Sequence, residues 1–282
     1  MEHLNYLAFA TPTGGGNAAG VVLDASGVGD AEMQALAAEL GFPETAFLFP
    51  QSERAWRIRY FSPQAEVDFC GHATVATAVA LAEHGHGGGN FMFETNAGEI
   101  PVEVAEGPDG LTATLTSVTP RLGTLEKRDE LLALIGWSDA DLDEFMPHGL
   151  AFGGLWHPIL WAKTRDRLRD VEYDFAGLRD LMLAQGWGTV SLLFRESPGL
   201  VHARNLFPIG GVVEDPATGA AAAALGGFLR AHALLREDGL VTVLQGEDMG
   251  QPCVLQIDAS GDGGVRVSGT ARRADAAGMP GV

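Results

Sequence analysis

Cys70, Gly71 and His72 open the run CGHATVATAVALAEHG, in which Thr74 and Thr77 are the only polar side chains between His72 and Glu83. A helix starting here would leave about four N–H groups unpaired and carry roughly half a positive charge at its mouth. That field disfavours a charged imidazole, so His72 becomes a neutral donor or acceptor. It also lowers the pKa of a thiol such as Cys70. The plainer readings are a structural hydrogen-bonder for His72 and a small buried hydrophobe for Cys70. A second mouth reads Glu214-Asp215-Pro216-Ala217-Thr218-Gly219 ahead of another apolar run. Asp is a favoured N-cap and Pro a favoured first helical residue, so Asp215 is either a cap alone or an acid beside an anion site. Two helix N-termini facing one cleft would hold a substrate carboxylate or a developing enolate. Glu44, in GFPETAFLF, is flanked by Phe42, Pro43, Ala46 and Phe47. Desolvation there would raise its pKa toward the range of a general acid/base; at an open strand edge it would simply face water.

Other patterns fail on their context. TGGGNAAG fits a loose dinucleotide pattern at Gly14, Gly16 and Ala19, but Val21-Val22-Leu23 follows and reads as a strand, not a helix. The sequence has no nucleophile elbow, phosphate loop, H-E-x-x-H or C-x-x-C. Glu83, His84 and His86 could approach a metal, yet no fourth ligand is in sequence reach and a solvated turn is the simpler reading. The net charge of -19 with only 18 basic residues argues against a nucleic-acid surface, and RDRLRD at 165–170 reads as a solvated helix face. Two cysteines make no disulfide framework and point to a reducing, cytoplasmic setting. No apolar run reaches the roughly 20 residues of a membrane span, and MEHLNYLAFA lacks the basic segment of a secretory signal.

The elements that must position these residues come in two similar sets. The first half predicts strands near 3–10 and 20–24, then an amphipathic helix from Asp30. Strands at 45–49 and 55–61 follow, then the apolar helix, then strands at 91–95, 99–105 and 111–117. The second half repeats this order: a helix near 175–185, strands TVSLLFR and LVHARNL, an apolar helix after EDPATG, and strands near 240–245, 253–257 and 264–270. Gly71 follows Asp30 by 41 residues and Gly219 follows Ala176 by 43. The chain therefore reads as a duplication. The expected halves are 1–119, with a central helix at 71–84, and 120–282, with a central helix at 217–233 and a last strand able to pack back on the first half. A helix apolar all round must be buried on every side. The expected architecture is α+β, with a mostly antiparallel, barrel-like sheet curled around one helix in each domain.

The segments GNAAGVV, PETAF, RIRYFSPQAEVDFCGHATVATA, NLFPIGGVVEDPATGAAAAALGGFL and LQGEDMGQP together resemble, in order, the signatures of the phenazine-biosynthesis-like (PhzF-like) family. The resemblance implies the diaminopimelate-epimerase-like fold of two pseudo-symmetric domains. It implies Glu44 as the proton-shuttling acid/base, with His72 and Asp215 assisting. It implies backbone amides around Gly71 and Gly219 as holders of substrate oxygens, with Thr218 and Ala220 beside them and Asn17 bordering the same cleft. Two departures stand out. Ala220 lies where the family often has serine, which puts the substrate in doubt. Thr218 lies where related racemases and epimerases carry a second thiol, which disfavours a two-cysteine mechanism. The expectation is an isomerase without metal or other cofactor, acting on a small, anionic metabolite in an interdomain cleft, and a homodimer by resemblance. The alternatives are a binding protein on the same fold, or a lyase or dehydratase beginning with the same proton abstraction.

Overall fold

The computed structural model describes residues 1–274; residues 275–282, part of the expected second half, lie outside the described residues. The chain divides into two compact units, Met1–Thr116 joined by the chain from Ser268, and Ser117–Val267. The division falls three residues before the expected boundary.

In the first unit the strands are β1 (Leu4–Ala8), β2 (Asn17–Val22), β3 (Glu44–Ser52), β4 (Ala55–Phe61), the two-residue β5 (Glu66–Val67), β6 (Gly89–Thr95), β7 (Gly98–Gly107) and β8 (Gly110–Thr116). Helix α1 (Asp30–Leu40) connects β2 to β3, and α2 (Gly71–Leu81) follows β5. Helix α1 forms because Met33, Leu36 and Ala37 fall at helical spacing and pack on Val22, Phe47 and Phe61. Glu32 reaches back to accept from the Gly29 amide at its start, and Gly41, with φ 67°, stops it. Helix α2 has no polar face, and every side chain from His72 to Leu81 is buried. Ala73, Ala76, Ala78 and Ala80 let the surrounding strands come close. It ends in a π-type turn over Ala82–His86 instead of continuing regularly to 84, because Gly85 adopts a φ of 107°.

The second unit holds β9 (Arg121–Gly123), α3 (Arg128–Leu134), β10 (Gly149–Phe152), β11 (Trp156–Trp161), α4 (Arg165–Arg169), α5 (Phe175–Gln185), β12 (Val190–Ser197), β13 (Leu200–Leu206), the two-residue β14 (Glu214–Asp215), α6 (Gly219–Ala231), β15 (Leu240–Gln245) and β16 (Cys253–Asp258). The last strand, β17 (Arg266–Arg273), enters the first unit at Ser268.

Pairing makes the duplication explicit. Strands β1 to β4, β6 and β7 pair successively as antiparallel, parallel, antiparallel, parallel and antiparallel. Strands β10 to β13, β15 and β16 pair in the same order and sense. Both inner hairpins slip register at one place, Pro50/Ser52 and Arg195/Ser197, and a two-residue strand precedes each buried helix. In the first unit β8 pairs with β7 and β17, and β17 pairs with β1, which closes an eight-stranded barrel around α2. The fold class is thus α+β with a central apolar helix in each unit, since α6 likewise buries every residue from Ala221 to Leu229.

Candidate active site

Asn17 begins β2 and Glu44 begins β3. The two strands run parallel with Ala19 opposite Glu44, so Asn17, Ala19 and Glu44 share one face. Asn17 comes out of a turn whose last residue is Gly16, with φ 107°. A Cβ there would lie 2.8 Å from the Leu7 Cβ, so no larger residue fits. Cys70 is the N-cap of α2, and its Sγ accepts from the Ala73 amide at 3.5 Å. Thr74 Oγ1 donates to the Cys70 carbonyl at 2.6 Å and lies 2.6 Å from the hydroxyl of buried Tyr60, which ties the first turn of the helix to β4.

These elements bring four predicted or discussed residues together. His72 Nε2 lies 3.3 Å from Glu44 Oε2, and Cys70 Sγ donates toward the same oxygen at 3.4 Å. The sulfur is also 3.3 Å from His72 Nδ1. Asn17 Nδ2 donates to Nδ1 at 3.1 Å, which assigns the imidazole proton to Nε2, facing Glu44. Burial pushes the His72 pKa down to about 4, against a smaller opposing effect from a hydrogen bond to the Ala18 backbone. The imidazole is therefore neutral, as expected, but the dominant cause is desolvation and not the helix field invoked from the sequence. Gly71 is the first residue of α2, so its amide belongs to the helix mouth.

The second unit builds its helix mouth differently from the sequence expectation. Asp215 is not the N-cap and Pro216 is not the first helical residue. Asp215 lies in β14, opposite Asn205, and the N-cap is Thr218. The strand register holds Asp215 extended, so α6 begins at Gly219, two residues later than expected, and ends at Ala231. Thr218 Oγ1 donates to Asp215 Oδ2 at 2.6 Å. Gln245, at the end of β15 and 1% exposed, brackets this mouth. Its Nε2 donates to the Asp215 carbonyl at 2.7 Å and to Thr218 Oγ1 at 3.1 Å, and its Oε1 accepts from the Thr218 amide at 3.3 Å. The neighbouring Glu214 is buried against the Arg204 guanidinium, with Nε at 3.1 and 3.0 Å from its two oxygens. Ala220 follows in the first turn, and Gly153 passes so close that a Cβ on it would lie 2.5 Å from the Ala220 carbonyl. Gln245 was the residue without a predicted role. Its only signal is as the first of the two glutamines of LQGEDMGQP.

Glu83, His84 and His86 do not converge. Glu83 accepts from the Tyr6 hydroxyl at 2.6 Å, His84 Nδ1 lies 2.8 Å from the Ala80 carbonyl, and His86 packs edge-on against Trp56. The loose glycine pattern leads into strand β2, as its context implied. No helix among the described residues is long and apolar enough to cross a membrane.

The family model for phenazine biosynthesis-like protein matches residues 6–276. The chain belongs to the PhzF-like family. Its relatives in that family carry isomerase names. An uncharacterized isomerase of Deinococcus radiodurans is 36% identical over 263 residues, covering 89% of this chain and 84% of that one. The trans-2,3-dihydro-3-hydroxyanthranilate isomerase of Pseudomonas fluorescens is 30% identical over 259 residues, covering 90% and 88%. The Bacillus anthracis phenazine biosynthesis protein of the PhzF family superposes with a TM-score of 0.86 at 26% identity, covering 98% of each chain. A hydroxyproline epimerase from Agrobacterium vitis shares the fold at a TM-score of 0.65 and 14% identity, covering 96% and 88%. This PhzF-like chain is accordingly an isomerase-type enzyme.

Proposed function

We propose that this enzyme moves a proton between carbons of a small, anionic, carboxylate-bearing metabolite without metal or organic cofactor, and that Glu44 carries the proton. The observation that supports this most directly is the Glu44 carboxylate held 3.3 Å from a neutral, buried His72 at the start of α2. His72 Nε2 and the Cys70 thiol both lie within reach of Oε2, which holds the carboxylate in place while it takes the proton from substrate and returns it. A positioned acid/base of this kind contributes about 10²–10⁴ in rate. Charge that develops on the substrate as the proton leaves meets the α2 mouth at Gly71, where first-turn amides donate. In the second unit, Asp215 and the mouth formed by Thr218, Gly219 and Ala220 are the proposed substrate-binding groups, with Asp215 assisting catalysis. Asn17 acts on His72 and borders the same group of residues. Within this proposal the enzyme works as a cytoplasmic homodimer, which sedimentation equilibrium checks.

The substrate is to be found by a metabolite screen in deuterated water, as a compound that gains label at carbon. Glu44→Gln keeps the shape and loses the base. It is expected to lower turnover and label incorporation by at least about a hundredfold, and near wild-type exchange would remove Glu44 from the mechanism. Cys70→Ser is expected to keep most of the turnover; complete loss would point to a thiol base. Release of water or ammonia with the label would turn the reading from isomerase to lyase. Ligand-dependent thermal stabilisation with no exchange at all would turn it to a binding protein, the reading that Ala220 favours.

A further inference from the structure

We propose that Glu44, Cys70 and His72 together form a binding site for a thiophilic divalent cation, zinc first among them, and that the ion blocks this site and does not serve it. Among the described residues these three are the one group of His, Cys, Asp and Glu whose ligand atoms all lie within 4.8 Å of one another. Tetrahedral zinc, with bonds of about 2.3 Å to sulfur and about 2.0–2.2 Å to nitrogen and oxygen, requires its ligands to stand roughly 3.3–3.6 Å apart. Here Nε2 and Oε2 are 3.3 Å apart, Sγ and Oε2 3.4 Å, and Sγ and Nε2 3.8 Å. One face of a tetrahedron is therefore laid out with no movement of the backbone, and small side-chain rotations complete it.

The charges and the ligand chemistry agree with the geometry. A thiolate and a carboxylate carry two negative charges and a neutral imidazole none, so a divalent ion makes the cluster electrically neutral in a setting that is largely shut off from water. Sulfur with imidazole selects zinc and cobalt over magnesium and calcium, which prefer all-oxygen sites. The Cys70 thiol releases its proton to solvent when the metal–sulfur bond forms. Nε2 becomes a ligand by transferring the ring proton to Nδ1. The Asn17 amide, which donates to Nδ1 at 3.1 Å when that nitrogen is bare, then turns its carbonyl to accept. Three protein ligands leave a fourth position for water. The ion would occupy the Glu44 oxygen and the His72 nitrogen that face each other in the metal-free site. The inhibitory half of the proposal rests on the function proposed above; the binding half does not.

The test uses the purified full chain, freed of metal and kept reduced, titrated with cobalt chloride and then with zinc. The expected result is saturable binding of one cobalt ion per chain, with a sulfur-to-cobalt charge-transfer band in the near ultraviolet and the strong visible bands of a tetrahedral site. Zinc is expected to displace it and bleach both. Cys70→Ser is expected to abolish the near-ultraviolet band and weaken zinc binding roughly tenfold or more, and Glu44→Gln to weaken binding while keeping the band. Cys253→Ser is expected to change neither. The weak spectrum of octahedral cobalt, no saturation at one equivalent, or a band that follows Cys253 would overturn the site. Once a substrate is known, zinc is expected to stop deuterium exchange and a chelator to restore it. Activation by zinc would overturn the blocking role while leaving the spectra, and hence the site, intact.

Discussion

In the proposed mechanism, the chemistry of the first unit turns on which nitrogen of His72 carries the proton. Asn17 fixes this from 3.1 Å by donating to Nδ1. Without that amide the proton can move to Nδ1, and an unprotonated Nε2 would then face the Glu44 carboxylate, two acceptors 3.3 Å apart. Asn17→Ala is therefore expected to lower kcat by at least about tenfold with little change in KM, as a lost tautomer does elsewhere. Parallel, equal loss of binding would show instead that Asn17 only holds substrate. At this scale much was legible in the sequence. Glu44 was set off by its apolar neighbours, and His72 and Cys70 by their place before a greasy run. The contact of Cys70 with both was not legible, because a strand start 26 residues upstream meets the helix mouth only through the β2–β3 register. Gln245 was invisible for a similar reason: a glutamine ending a strand has no local reason to cap a helix 27 residues earlier.

Two buried helices begin beside short strands, and their starts depend on neighbours that allow no spare volume. Gly153 is one of these, because its missing Cβ would sit 2.5 Å from both the Ala220 carbonyl and the Ala224 amide. Those are backbone atoms, so an added methyl must displace α6 itself. Gly153→Ala is expected to cost about 1–3 kcal/mol, seen as a lowered urea midpoint with an unchanged slope, and to raise KM more than it lowers kcat. A variant as stable as the parent would mean the helix start shifts freely. Elements with clear periodicity, such as α1 and α5, were readable almost to their ends. The stretch between Arg121 and Trp161 was not. Strands β10 and β11 are joined by Gly153-Gly154-Leu155, and Pro158 lies inside β11, opposite Leu150, where glycine and proline ordinarily signal a break. The start of α6 was misread because Asp-Pro is a strong local helix opening, whereas pairing of Asp215 with Asn205 keeps it in a strand.

Across the whole molecule, stability should carry the mark of two fully buried imidazoles, His72 in the first unit and His157 in the second. The pKa values of His72 and His157 are both lowered to about 4, chiefly by desolvation. His157 is fully buried, and its Nδ1 accepts from the Thr189 amide at 3.2 Å. An unfolded histidine titrates near 6.5, so above that pH neither state is charged and nothing is lost. As pH falls from about 6.5 to about 4 the unfolded chain takes up protons that the native chain refuses, and stability declines. Each histidine accounts for a loss on the order of 3 kcal/mol by the lower end of that window. Urea midpoints measured across it are expected to fall, and His157→Gln to make the fall shallower. A flat profile would mean that water reaches these rings.

The barrel of the first unit is sealed by β17, which the chain supplies only from Ser268 onward. A ribosome must carry synthesis past Ser268 before that cylinder can shut, even though its other seven staves are made by Thr116. Until then β1 and β8 present open hydrogen-bonding rims to the crowded cell, so the newborn amino-terminal half is the portion in greatest need of a chaperone's shelter.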